Sequence, residues 1–233
     1  MVAFHDIRAI LFDSGDTLVR PIGGEWLPGP IFRRIVTEAA VEPRWDQLAR
    51  GHEAGMLRLL RNHHLRTETE EIERYADYVA AVLDALGLSN CTELDAHELA
   101  RQMVLQIGIE PFDDTVPALE RFASLKRPLA VISNGWPSLD RQLRQVGLRS
   151  FFDLLIISAH VGSRKPEARI FEVALELLGI EAGGVLLVDD APENVTAARA
   201  LGMQGVVVDR TGVAPSHGLP WVSSLNEIAL YPR

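Results

Sequence analysis

The sequence has few residues of two reactive kinds, cysteine and lysine. Cys91 is its one cysteine, which excludes an intrachain disulfide framework and a cysteine-rich zinc site. Lys126 and Lys165 are its two lysines, and the other 21 basic residues are arginines. No apolar run approaches the ~18 residues that a transmembrane helix needs, and no signal-peptide pattern follows Met1. We therefore expect a cytoplasmic protein without a membrane partner.

The chain also has a shortage of positive charge. Its 233 residues include 23 Lys and Arg against 32 Asp and Glu, giving a formal net charge of −9. Such a chain repels a phosphate backbone, so we expect no nucleic-acid partner. Apolar residues make up 47% and charged residues 24% of the chain, close to globular averages, which excludes a disordered chain. The length suits one large domain or a core with an insertion.

Short apolar runs near the start of the chain and in its second half predict buried β-strands, because strands covered on both faces are apolar throughout. These runs are residues 8–13, 129–133, 154–158, 184–189 and 205–209. Helical patterns separate the later runs, at residues 138–146, 168–178 and 192–201. Alternating strands and helices predict a parallel α/β sheet with right-handed crossovers.

The intervening stretch, residues 19–111, does not alternate. It begins with a connector rich in proline and glycine at residues 21–30. Helical patterns follow near residues 31–40, 45–61, 68–86 and 93–106. The sequence therefore predicts an all-helical insertion at 19–111, within a core formed by residues 1–18 and 112–233.

Polar side chains follow four of the predicted strands. They are Asp13, Ser133 with Asn134, Lys165, and Asp189 with Asp190. Open α/β sheets bind ligands at the carboxyl ends of their strands. Taken singly, each residue is explained by a turn, a helix cap or a solvated charge. Together they supply what phosphoryl transfer needs: carboxylates, a hydroxyl, backbone N–H groups and an ammonium.

Bringing Asp13, Asp189 and Asp190 together creates strong repulsion, roughly 1–4 kcal/mol per pair at ~4 Å depending on the effective dielectric. A hard divalent cation reverses this repulsion, and Mg²⁺ prefers a few carboxylates with water and phosphate oxygens. We therefore expect Mg²⁺ as a cofactor. Lys165 supplies a further positive charge to the same phosphate oxygens.

These segments resemble the four motifs of the haloacid dehalogenase-like hydrolase superfamily in type, order and spacing. The motifs are Leu11-Phe-Asp13-Ser-Gly-Asp-Thr17, Ile132-Ser133-Asn134, Lys165-Pro166 and Val188-Asp189-Asp190-Ala-Pro-Glu-Asn194. The resemblance implies a Rossmann-like core with a helical cap inserted after the first motif.

The same resemblance implies a role for each site residue. Asp13 is the nucleophile that forms an aspartyl-phosphate, and Ser133, with Asn134 beside it, and Lys165 bind the phosphoryl group. Asp190 and Asp189 hold Mg²⁺ together with Asp13 and the backbone carbonyl of Gly15.

Gly15 is a departure from the family pattern. Most phosphatases of the superfamily carry Asp two residues after the nucleophile, where it is the general acid/base, a function typically worth 10²–10⁴ in rate. Asp16 is one residue too far along the chain and is expected to point differently, and whether it substitutes in part is left open.

Two relatives that lack this acid give alternatives. Phosphonoacetaldehyde hydrolase needs a cap lysine, and residues 18–111 contain none. L-2-haloacid dehalogenases resemble this chain at residues 133–137 and 165–166, but they need no metal and keep no acidic pair in the fourth motif. The sequence therefore favours a Mg²⁺-dependent phosphatase of small phosphorylated metabolites. A metal-independent 2-haloacid dehalogenase and a non-catalytic phosphate-binding or interaction protein remain as alternatives.

Overall fold

The computed structural model describes residues 1–61, 63–106, 108–213 and 218–231. Within these residues the strands are β1 (Val2–His5), β2 (Ala9–Phe12), β3 (Val19–Pro21), β4 (Ile109–Pro111), β5 (Leu129–Ser133), β6 (Leu154–Ile157), β7 (Val185–Asp189), β8 (Gln204–Val208), β9 (Trp221–Val222) and β10 (Ile228–Tyr231). The α-helices are α1 (Gly29–Glu38), α2 (Leu48–Leu59), α3 (Glu68–Ala85), α4 (Ala96–Leu105), α5 (Thr115–Ala123), α6 (Leu139–Gln145), α7 (Ser158–Val161), α8 (Ala168–Leu178) and α9 (Pro192–Ala200).

The main sheet has six parallel strands in the order β6-β5-β2-β7-β8-β9. Every residue of β2, β5 and β7 is buried, as their uninterrupted apolar sequences predict for strands covered on both faces. The chain leaves β2 to form β5 on one side of it and returns to form β7 on the other. The predicted parallel α/β sheet is confirmed.

Two small two-stranded sheets were not predicted. One pairs β1 with β10 in parallel, with Val2 opposite Ile228 and His5 opposite Tyr231. The other pairs β3 with β4, and an ion pair joins Arg20 and Glu110 at 2.8 Å. These strands are three or four residues long and pair across large sequence separations, so local periodicity does not reveal them.

The chain divides into two compact units. We name Met1–Arg20, Glu110–Gly135 and Leu139–Arg233 the core unit, and Pro21–Ile109 with Trp136–Ser138 the helical unit. Trp136–Ser138 cluster with the helical unit, whereas the sequence analysis placed them in the core. Glu71 is the physical reason, because its buried carboxylate accepts hydrogen bonds from the Ser138 N–H (2.8 Å) and hydroxyl (2.6 Å).

The helical unit has an apolar core of its own, formed by buried residues of α1–α4 and the turns between them. Helix α3 begins at a capping box, in which Thr67 accepts a hydrogen bond from the Glu70 N–H and Glu70 accepts one from the Thr67 N–H. Helix α2 packs so closely against α3 that only glycine fits at position 55. A Cβ atom there would lie 2.5 Å from the ring of Tyr78. Among the described residues, no helix combines the length and the apolar character needed to cross a membrane.

Candidate active site

The three central strands of the sheet bring most of the predicted site residues to one edge. Because β5, β2 and β7 are parallel neighbours, their carboxyl ends meet there. Ser133 is the last residue of β5, Asp13 follows β2, and Asp189 ends β7 with Asp190 after it. The Asp13 N–H donates to the carbonyl of Val188 at 2.9 Å, which continues the β2–β7 pairing up to the nucleophile position.

The carboxylates of Asp13, Asp189 and Asp190 converge. Each of the three offers an oxygen, and these oxygens all lie within 4.8 Å of one another. Asp13 and Asp189 are buried, and Asp190 is half-buried. The structure therefore brings together the three side chains that the sequence analysis assigned to a metal. The expected contribution of the Gly15 carbonyl stays a prediction.

Lys165 provides a positive charge inside this cluster. Its ammonium lies 2.6 Å from Asp13 Oδ1 and 2.6 Å from Asp189 Oδ2, and its side chain is 1% exposed. The loop between α7 and α8 thus delivers the lysine to the edge where the three central strands end. Its placement fits the predicted role of binding a phosphoryl group beside the nucleophile.

Asp189 has hydrogen-bond partners at both of its carboxylate oxygens. Its Oδ1 accepts hydrogen bonds from the Ala191 N–H (3.0 Å) and the Asn194 side chain (2.9 Å), while Oδ2 faces Lys165. Asn194 reaches Asp189 because α9 starts at Pro192 and places it in the first helical turn. The direct contacts of Asp189 are therefore with its own loop and the lysine, and its expected role as a metal ligand stays a prediction.

Asn134, which the sequence analysis placed among the catalytic residues, forms two hydrogen bonds with the backbone of Lys165. Its Oδ1 accepts from the Lys165 N–H at 2.8 Å, and its Nδ2 donates to the Lys165 carbonyl at 2.9 Å. This paired contact fixes the segment from which the ammonium extends. Ser133 is buried beside it, and a Cβ atom at Gly135 would lie 3.2 Å from the Ser133 Oγ, so glycine leaves room for that hydroxyl.

Burial, together with the repulsion between the acids, raises the pKa values of Asp13 and Asp190. Burial raises the pKa of Asp13, Lys165 opposes it, and Asp189 and Asp190 add to it, with a net pKa of about 8. Burial and the charge of Asp189 raise the pKa of Asp190 to about 6. Burial alone would lower the pKa of Lys165, but Asp13 and Asp189 outweigh it and raise that pKa. Asp13 and Asp190 therefore keep a proton to a higher pH than an aspartate in water does.

The turn after Asp13 carries the departure from the phosphatase pattern. Gly15 has no side chain to act as an acid, and it pairs with Val19 in an isolated bridge. Asp16 has a φ of +55°, a left-handed conformation that Asp tolerates better than most residues, and its side chain is exposed. Its charge contributes to the raised pKa of Asp190.

The structure adds residues to the site region that sequence reasoning gave no role. Thr17 donates its hydroxyl to Asp190 Oδ1 at 3.4 Å, and Arg210 donates to the Thr17 carbonyl. Thr17 lies within the first motif and Asn194 within the fourth, so the sequence marked both segments without giving either residue a role. Arg210 lies 193 residues from Thr17, and no local pattern marks it.

The donor set fits a hard divalent cation. The acids are oxygen ligands, their repulsion is only partly relieved by one lysine, and the raised pKa values of Asp13 and Asp190 show that further positive charge is favourable. Asp13, Asp189 and Asp190 offer the carboxylate oxygens that would hold the ion.

Comparison with known proteins agrees with this geometry. A family model for the haloacid dehalogenase-like hydrolases matches residues 7–202. The chain belongs to this family. The resemblance inferred from four short motifs is thus confirmed, and with it the Rossmann-like class of the fold.

Relatives of this haloacid dehalogenase-like hydrolase catalyse two kinds of reaction. (S)-2-haloacid dehalogenase from Pseudomonas sp. (strain YL) is 30% identical over 146 residues, covering 60% of this chain and 62% of the relative. Phosphoserine phosphatase from Thermus thermophilus is 40% identical over 89 residues, covering 37% of this chain and 35% of the relative. The matches thus span less than two thirds of either relative's length.

A solved structure shows the same fold along nearly the whole chain. L-2-haloacid dehalogenase PA0810 aligns with a TM-score of 0.69 at 24% identity, covering 95% of this chain and 97% of that one. Because the curated relatives include both a dehalogenase and a phosphatase, the choice between the two reactions rests on the site itself.

Proposed function

We propose that this hydrolase is a Mg²⁺-dependent phosphatase of small phosphorylated metabolites. The observation that carries the proposal is the charge of the cluster, in which three carboxylates converge around one ammonium. When all four groups are ionised, the net charge is −2, which repels an anionic substrate. A bound divalent cation offsets that charge and polarises a phosphoryl group.

The chain's own residues then have distinct tasks. The Asp13 carboxylate attacks phosphorus in line, the bond to the leaving oxygen breaks, and water later hydrolyses the aspartyl-phosphate. Lys165 and the Ser133 hydroxyl bind the phosphoryl oxygens, and Asn134 holds the Lys165 backbone in place. We assign to the helical unit the role of a cap that selects the leaving group.

Gly15 limits which substrates react well. Without an acid at this position, the leaving oxygen departs without a proton from the enzyme, so good leaving groups react faster. We expect aryl and acyl phosphates to be hydrolysed faster than alkyl phosphates. Equal rates for both, under conditions where chemistry limits turnover, would show that the role inferred for Gly15 is wrong.

The second candidate is a metal-independent 2-haloacid dehalogenase. The similarity to the Pseudomonas sp. (strain YL) enzyme favours it, as does the missing acid at Gly15. The acidic pair of Asp189 and Asp190 argues against it, because a halocarboxylate is itself an anion and would approach a cluster of net negative charge.

One assay separates the candidates. Release of 4-nitrophenol from 4-nitrophenyl phosphate and of chloride from 2-chloropropionate are measured with Mg²⁺ and with chelator, for the wild type and Asp13→Asn. We expect phosphatase turnover that chelator abolishes and that Asp13→Asn lowers on the order of 10³-fold or more. The matched control is Asp140→Asn, because Asp140 pairs with Arg144 and Arg149 at the surface.

Three results contradict the proposal. Chloride release that persists in chelator identifies the dehalogenase. No turnover of either substrate, with Mg²⁺ bound, identifies a phosphate-binding or interaction protein. Equal loss of activity in Asp140→Asn and Asp13→Asn contradicts the role of Asp13 as nucleophile, because the loss would then not be specific to it.

A further inference from the structure

A second cluster of charged groups lies in the core unit and contacts the turn that follows Asp13. Asp114, just before α5, is its centre. Its two oxygens accept bonds from Arg210 Nη1 at 2.9 and 2.8 Å, from the Ser224 hydroxyl at 2.6 Å and from the Leu225 N–H at 2.8 Å. Burial would raise the pKa of Asp114, but the hydrogen bonds from Arg210 and Ser224 outweigh it and lower that pKa.

Arg210 is fixed on three sides. Besides Asp114, its guanidinium lies 4.2 Å from the centre of the Phe112 ring, and its Nη2 donates to the carbonyl of Thr17. The side chain is 18% exposed. A planar guanidinium held by a carboxylate, a ring and a carbonyl has little freedom to move. The carbonyl of Thr17 is therefore held in place by a rigid group.

Thr17 connects this cluster to the candidate metal site. Its side chain is fully buried, and its hydroxyl donates to Asp190 Oδ1 at 3.4 Å. The next carbonyl, that of Leu18, is held as well, by the Thr115 hydroxyl at 2.7 Å and the Phe112 N–H at 3.1 Å. Contacts thus run from Asp114 through Arg210 and Thr17 to Asp190.

We propose that Arg210 is a positioning residue that sets the orientation of Asp190 through Thr17, and with it the affinity of the site for a divalent cation. The inference rests on the proposed function, because it assumes that Asp190 is a metal ligand. Arg210 is not among the residues assigned to the substrate or the metal. A variant without Arg210 keeps the Asp190 carboxylate but no longer holds Thr17, the residue that orients that carboxylate.

The matched control is Arg121, whose environment is similar. Its guanidinium donates to the carbonyls of Ile228 (2.8 Å) and Leu225 (3.0 Å) and lies 4.4 Å from the Phe122 ring. Like Arg210, it packs on an aromatic ring and binds main chain near Leu225. None of these three contacts involves the turn after Asp13, so Arg121→Met reports the general cost of removing such an arginine.

The test measures Mg²⁺ binding by titration calorimetry at pH 8 for wild type, Arg210→Met, Arg210→Lys and Arg121→Met. We expect Arg210→Met to bind Mg²⁺ about tenfold more weakly, the lower end of the effect of removing groups that orient metal ligands. Arg121→Met should bind like the wild type. Steady-state kinetics should show a higher Mg²⁺ requirement in Arg210→Met with kcat restored at saturating Mg²⁺.

Thr17→Val tests the route, because valine keeps the shape of threonine and lacks its hydroxyl. We expect it to weaken Mg²⁺ binding as Arg210→Met does, and the double variant to be no weaker than either single variant, since both interrupt the same contact. Fully additive losses would overturn the proposed route. Thr17→Ser keeps the hydroxyl and should bind like the wild type.

The outcomes are distinguishable. Equal Mg²⁺ affinity in Arg210→Met and the wild type, or equal weakening in Arg210→Met and Arg121→Met, overturns the role of Arg210 while the proposed function stands. A wild type that binds no Mg²⁺ overturns the proposed function and this inference with it. If Arg210→Met does not fold, Arg210→Lys, which keeps the charge but loses the paired contact, carries the same test with an expected loss of about threefold.

Discussion

Two clusters of charged groups contact Thr17 in the turn after Asp13, and they differ in their balance of charge. Around Lys165, three carboxylates meet one ammonium, and the pKa values of Asp13 and Asp190 are raised. Around Asp114, one carboxylate meets one guanidinium and two further donors, and its pKa is lowered. The balanced cluster is complete within the chain, whereas the unbalanced one calls for a ligand.

Removing Lys165 should give the largest effect on stability. In Lys165→Met, the buried carboxylates of Asp13 and Asp189 lose their shared cation, and breaking a buried pair in this way costs about 3–5 kcal/mol. The loss should be smaller at pH 5 than at pH 8, because Asp13, whose pKa is raised to about 8, is protonated at pH 5. Urea unfolding of the metal-free protein at pH 8 and pH 5 measures it.

Lys126 is the matched control, since it is the other lysine of the chain and is exposed. Lys126→Met should change the free energy of unfolding by no more than about 0.5 kcal/mol, as for most surface substitutions. A similar loss in both variants would contradict the account of Lys165 as the cation at the centre of the cluster.

Weakening the balanced cluster should have the next largest effect. Asp114→Asn removes the charge that pairs with Arg210, and hydrogen bonds to charged groups are worth about 1.5–3 kcal/mol. Because the folded pKa of Asp114 is lowered, its contribution is present above the unfolded pKa of 3.8 and is lost as the pH falls through the folded pKa. Unfolding free energies of the two proteins should therefore differ at pH 7 and converge in acid. A difference that is constant with pH would contradict this.

Asp190→Asn should act in the opposite direction. The folded pKa of Asp190 is raised from 3.8 to about 6, so its ionisation weakens the metal-free fold as the pH rises across that range. After allowance for its partial exposure, we expect Asp190→Asn to stabilise the metal-free protein by about 1 kcal/mol at pH 8 and by little below pH 4. A loss of stability at pH 8 would show that the cluster is balanced without a ligand.

An exposed ion pair should show the smallest effect and calibrates the others. Arg34 and Glu38 lie one turn apart on α1, with 3.1 Å between Nη1 and Oε2. A double-mutant cycle with alanine at both positions should give a coupling of about 0.3–0.5 kcal/mol that falls with salt. A coupling as large as the loss of about 3–5 kcal/mol expected for Lys165→Met would mean that burial does not explain the strength of the Lys165 contacts.

The sequence predicted those parts of the site that follow strands. Asp13, Ser133 and Asp189 each end or follow an apolar run, and the parallel sheet that such runs predict places their ends together. Lys165 was found because lysine is so rare in this chain. The contacts among these groups were not predictable, since the pairing of Asn134 with the Lys165 backbone depends on how two loops meet.

What the sequence did not reveal lies at long range. Arg210 and Asp114 are 96 residues apart, and neither belongs to a motif. The pairing of β1 with β10 joins the two ends of the chain. The contacts of Ser138 with the helical unit were not predicted either, because one buried carboxylate, that of Glu71, makes them. None of these contacts leaves a local pattern of period 2 or 3.6.

The central claim is that the acidic cluster at the ends of β2 and β7 is built for a divalent cation. The most direct test is the change in the free energy of unfolding at pH 8 on addition of Mg²⁺, for the wild type and Asp190→Asn. At a Mg²⁺ concentration of a hundred times Kd, the wild type should gain about 2.7 kcal/mol and Asp190→Asn far less. No gain in the wild type, or the same gain in both proteins, would contradict the claim.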